Sequence, residues 1–116
     1  MTVSLLITKI GGPPIGAPDD CSVYVPIATS ETFKKWWEPG IEAIGATWME
    51  MFSWGIDIDF EKLPVVIIEL LRFRRWLESI EDVEMREFLY GRVDRLIDVL
   101  STHVGNNCIG YEYNFG

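Results

Sequence analysis

Asp57, Asp59 and Glu61 stand at every second position of the run SWGIDIDFEKLP (53–64), alternating with Ile56, Ile58 and Phe60. On an extended strand they would share one face at intervals of about 6.5–7 Å. That spacing suits a two-carboxylate hydrolase, or a hard divalent cation held by oxygens. The same rhythm has a plainer cause, because three apolar residues facing a core oblige their neighbours to face water. The glycine and distal glutamate of a calcium-binding loop are missing at the required offsets. Three readings of the triplet therefore stand side by side: a solvated strand face, a docking face, and the carboxylates of a small metal-dependent enzyme.

Other chemistry has less to build on. The sole histidine, His103, falls in the last turn of a predicted helix, where an imidazole caps free carbonyls or faces solvent. One histidine and two cysteines cannot assemble a Cys/His zinc site. Cys21 and Cys108 fall in two separate predicted strands and are expected to stay reduced. No nucleophile elbow, phosphate loop or dinucleotide fingerprint is present. The prolines of GGPPIG (11–16) remove N–H groups that a phosphate cradle would use. No catalytic residue, metal site or cofactor is assigned.

A docking face draws on the wider neighbourhood of the triplet. Between Trp36 and Glu61 there is no lysine or arginine, while Glu38, Glu42, Glu50, Asp57, Asp59 and Glu61 supply six acids. Four of the five tryptophans, Trp36, Trp37, Trp48 and Trp54, fall in the same stretch. Tryptophan anchors interfaces, and surrounding carboxylates speed encounter with a basic partner. The candidate partner-binding set is Trp36, Glu38, Glu42, Glu50, Trp54, Asp57, Asp59 and Glu61. Because Trp36 and Trp37 are adjacent, they cannot share one helix face, so one of them, with Trp54 in a turn, is expected to be at least partly exposed. Arg72, Arg74 and Arg75 form the only basic cluster, with Glu69 and Glu78 in helical reach to neutralise it.

The totals agree with such a face. Eighteen acids against ten bases leave a net charge of −8, which disfavours nucleic acid and anionic membranes as partners. The longest strongly apolar run, LPVVIIELL (63–71), is interrupted by Glu69 and is about half a membrane span. The opening MTVSLLITKIGG lacks a positive charge ahead of its short apolar run, so no export signal is expected and the cytoplasm is the expected compartment.

The elements that must position these residues can be read in outline. At 116 residues, 48% of them hydrophobic, the chain is expected to form a single domain over 1–116. VSLLITKI (3–10) reads as a central strand, apolar on both faces, and GGPPIGAPDD (11–20) as a loop. CSVYVPIA (21–28) reads as a second strand, with Pro26 marking an edge or bulge. Thr29 and Ser30 cap a helix carrying Phe33, Trp36 and Trp37, which breaks or kinks at Pro39-Gly40 and resumes through Ile41 and Ile44. ATWMEMF (46–52) fits a strand or a helix. The strand is preferred, forming a hairpin with IDIDF through Ser53-Trp54-Gly55. Two helices follow, with stripes Val66, Leu70, Phe73, Leu77, Ile80 and Met85, Leu89, Val93, Leu96, Leu100, Val104, the second ending at Gly105. Arg74 with Glu78 and Asp82 with Arg86 are at pairing distance along them. NCIGYEYNF (107–115) alternates as a final half-buried strand. The expected fold is α+β, a small mixed sheet of about four to five strands with three helices packed on one face.

An acidic, tryptophan-rich α+β chain of this size without a catalytic set resembles the immunity proteins of bacterial contact-dependent inhibition and related polymorphic toxin systems. The run TFKKWWEPGIEAIGATW…GIDIDFEKLPVVIIELLRFRRWL, within roughly 29–80, is similar to small proteins encoded near such toxins. The resemblance implies tight one-to-one binding to a toxin domain, often a basic nuclease, and supplies no catalytic residues to carry over. An adaptor that self-associates through its apolar strand IGYEYNF or through its helices is a further reading, since an exposed terminal strand could pair with a symmetry mate and form a homodimer.

Overall fold

The computed structural model describes residues 2–10 and 23–116. The Gly/Pro-rich stretch 11–20 and Cys21 lie outside the described residues. Four strands form one sheet in the order β2-β1-β4-β3: β1 is Thr2–Lys9, β2 Val23–Thr29, β3 Ile56–Ile58 and β4 Tyr111–Phe115. All three pairings are antiparallel, so the sheet is not mixed, while the α+β class holds.

β1 is interior, as its apolar sequence predicts, but its two faces are covered unequally. Val3, Leu5 and Ile7 are buried while Leu6 is exposed. The final strand is interior too. β4 pairs with β1 on one side and, over Tyr113–Phe115, with β3 on the other, so the terminal strand lies inside the sheet and β2 and β3 are its edges. Pro26 does mark both an edge and a bulge. The register runs Val3↔Ala28 and then Ser4↔Pro26, so Ile27 is the extra residue.

The covered face of the sheet meets the helices in one core. Leu5, Ile7, Val25, Ile27, Ile58, Tyr113 and Phe115 come from strands, and Val66, Leu70, Phe73, Leu89, Val93, Leu96 and Leu100 from the two long helices. Those helices are α3 (Leu63–Trp76) and α4 (Val83–Gly105), and every central residue of their predicted stripes is buried. Their charges pair otherwise than sequence spacing suggests. Arg74 reaches across to Asp94 of α4 at 2.6 Å, which raises its pKa through that hydrogen bond first and the opposite charge second. Asp82 caps α4 by accepting from the Met85 N–H at 3.0 Å, and Arg86 donates to the Ile80 carbonyl. Past Gly105, Asn106 is the cap residue and Asn107 takes the left-handed turn (φ 53°), a conformation that asparagine tolerates.

The first helical stretch does not break at Pro39-Gly40. Thr29 caps α1 (Ser30–Thr32) with its hydroxyl, a π-helical turn spans Phe33–Trp37, and α2 runs over Glu38–Ile44. Pro39 sits in the first turn of α2, and the wider turn ahead of it absorbs the missing N–H. Gly40 then lies against α3, with room for no side chain.

Residues 46–52 do not form a strand. A six-residue 3-10 helix, Met49–Trp54, takes the place of the hairpin's first arm. Its cause lies on α3, where the buried carboxylate of Glu69 accepts from the N–H groups of Thr47, Trp48 and Met49 at 3.0–3.2 Å. Those N–H groups are the orphan donors at the start of a helix, and an anion is what they attract. Glu69 therefore does not neutralise the arginines beside it. Arg72 instead donates to the Ile44 carbonyl at 2.6 Å and closes the end of α2.

Candidate partner-binding groove

α2 places Glu38 and Glu42 one turn apart on its exposed face, with buried Ile41 beneath them. Gly45 ends the helix in the left-handed region (φ 65°, ψ 35°), its N–H bonded to the Glu42 carbonyl and that of Ala46 to Ile41. The chain turns back there, is held at 47–49 by Glu69, and enters the 3-10 helix. That helix buries Met49 and Phe52, the latter stacked on Phe115 at 4.0 Å between ring centres. Burying those two turns Glu50 and Trp54 outward.

Between the two arms lies a groove of about 550 Å³. Glu38, Glu42, Glu50 and Trp54 stand around it, and the buried side chains of Phe33, Ile41 and Ala46 form its base. No lysine or arginine lines it. Trp54 is 86% exposed, the most exposed of the large apolar side chains described. An indole this open has given up the burial that usually decides where tryptophan sits.

Four residues of the sequence-derived set thus meet at one site: Glu38, Glu42, Glu50 and Trp54. The other four do not line it. Trp36 is half-buried on another face of the helix, with the Lys35 ammonium 5.4 Å from its ring centre, and its neighbour Trp37 is fully buried. Asp57 is on the edge strand β3, where it accepts from the Asn114 side-chain amide at 2.7 Å. Asp59 follows that strand, and Glu61 lies in a separate 3-10 turn, Phe60–Lys62. The triplet is solvent-exposed, but it does not share one strand, because β3 stops at Ile58. Among the described residues, no three Asp, Glu, His or Cys side chains are grouped to hold a metal ion.

His103 is neither a surface residue nor a simple cap. It is buried, its Nδ1 2.9 Å from the Val99 carbonyl, with the rings of Tyr111 and Tyr113 edge-on at 6.3 and 5.8 Å. A second, smaller depression lies where α4 meets the β2 edge. There Arg92 stacks on exposed Phe88 and donates to the Pro26 carbonyl at 3.1 Å, satisfying an acceptor on an edge strand.

Sequence reading missed the groove's apolar lining and its organiser. Glu69 had a signal: it falls three residues after Val66 and four before Phe73, on the buried stripe of α3. A carboxylate at such a position must find buried donors. Comparison with protein-family models, curated proteins and solved structures gave no match for this chain.

Proposed function

We propose that this chain is a binding protein of the immunity type, which neutralises a toxin domain by seating the acidic, aromatic groove against a basic surface. A nuclease is the toxin class that fits best. Its substrate groove is cationic because it binds phosphates, and carboxylates can lie where those phosphates would. The single observation that carries the reading is Trp54, left open to solvent beside three carboxylates with no base among them. Aromatic anchors provide most of the affinity at such surfaces, and the acids set encounter rate and register. The expected site of action is the cytoplasm of the cell that carries the toxin gene.

Growth rescue tests this directly. The domain encoded immediately upstream of this chain is expressed in a susceptible host with and without it, and survivors are counted. Killing by the neighbour and recovery with this chain alone is the expected result. A harmless neighbour, or one that kills regardless, sinks the proposal.

A further inference from the structure

We infer that the groove takes an arginine side chain projected by the basic partner, with its guanidinium against the Trp54 indole and between the carboxylates. The inference rests on the binding-protein reading and names the chemistry of the partner's anchor. Three features of one cavity select that occupant together. Glu38 and Glu42 from α2 and Glu50 from the 3-10 helix all line it, so carboxylates from two elements are available to a planar cation with five N–H donors. Trp54 offers an exposed aromatic face, on which a guanidinium lies flat at lower desolvation cost than an ammonium. Ile41, Ala46 and Phe33, each at most 4% exposed, form the apolar base of the same groove, and the open indole of Trp54 is the apolar surface a methylene stem can lie along. A lysine would satisfy the carboxylates as a point charge but would use neither the flat face nor the two-sided hydrogen bonding. An anionic or neutral polar group would meet uncompensated like charge or leave the carboxylates unpaired. At about 550 Å³ the groove is large enough for the side chain, inside the range of about 300–1,000 Å³ typical of sites that enclose a ligand.

The turn that carries one wall is tied to α3. Glu69 accepts from the N–H groups of Thr47, Trp48 and Met49, which anchors the start of the 3-10 helix. An anchored wall lowers the ordering cost of binding.

The test uses the whole chain and three capped peptides, Ac-Gly-Arg-Gly-NH2 and its lysine and citrulline counterparts, at constant ionic strength. Binding is read from the indole N–H resonance of Trp54, assigned with Trp54→Phe. The arginine peptide is expected to shift that resonance saturably, and the isosteric but uncharged citrulline peptide to bind about tenfold more weakly or less. Glu42→Gln and Glu50→Gln, both at exposed positions, are each expected to weaken the arginine peptide several-fold with no change in melting temperature. No saturable shift, citrulline binding as tight as arginine, or indifference to both glutamate changes would overturn the inference. Lysine binding as tight as arginine would overturn the choice of guanidinium. The outcome separates cleanly from the functional proposal. If growth is rescued but no arginine peptide binds, the partner seats elsewhere. If the peptide binds and rescue fails, the groove is an arginine site on a protein that is not an immunity inhibitor.

Discussion

One carboxylate, Glu69, explains more of the local architecture than any of the acids that first attract attention. It is 7% exposed, and its two oxygens receive the N–H groups of three successive residues from a different element. Hydrogen bonds to a charged acceptor contribute about 1.5–3 kcal/mol each, and stranding buried donors costs a similar amount. Glu69→Ala is therefore expected to destabilise the fold by about 3 kcal/mol or more, read as a lowered midpoint in urea unfolding. Glu69→Gln keeps the shape but turns an NH2 group toward backbone N–H donors, so it should lose about half as much. If both variants melt like wild type, the 3-10 helix does not depend on this cap. Trp37 shows the opposite economy. Its indole N–H has no hydrogen-bond partner among the described residues, yet the ring is fully buried between Phe33 and Phe73, stacked at 5.7 and 4.7 Å. Here aromatic packing outweighs one unmade hydrogen bond.

At the scale of elements, the contact between α2 and α3 turns on Gly40. A methyl group there would lie 2.5 Å from Trp76 and 2.6 Å from Phe73. Phe73 is itself clamped between Trp37 and Trp76 and has nowhere to go. Gly40→Ala should thus cost about 2–3 kcal/mol by overpacking, even though alanine is the better helix former. A melting temperature equal to or above wild type would show that the two helices can separate without loss. The same elements show what sequence makes legible. α3 and α4 follow from periodicity because their burial repeats within the helix itself, and Thr29 and Pro26 act through local geometry. The preferred strand over 46–52 does not form because the segment's conformation is decided by a carboxylate about 20 residues away, which no window on the segment contains. β3 is shorter than its alternation suggests because Phe60 already belongs to the next turn. For the groove, composition marked the acids and Trp54. The apolar lining and the departure of Asp57, Asp59 and Glu61 from the site depend on the docking of 47–49 against Glu69 and on the pairing of β3 with β4, both long-range outcomes.

For the whole molecule, the question is whether the net charge of −8 or the groove alone would govern association. The two contributions separate kinetically. Charge summed over a surface accelerates diffusional encounter with a basic partner and is screened by salt, whereas contacts desolvated in the complex set its lifetime. Glu42→Gln/Glu50→Gln and Asp57→Asn/Asp59→Asn each remove two negative charges, so both should reduce the association rate at low salt by a comparable, several-fold factor. Only the groove pair should also raise the dissociation rate, by about tenfold or more, because only there are carboxylates expected to be buried against the partner. Surface plasmon resonance with the partner domain at two ionic strengths reads both rates. Equal effects on both rates from the two pairs would mean that the acids act as a diffuse field. A larger dissociation effect from Asp57 and Asp59 would move the contact to the β3 edge. The exposure of Trp54 beside Glu38, Glu42 and Glu50 argues for the groove, since a diffuse field needs no indole held open to water.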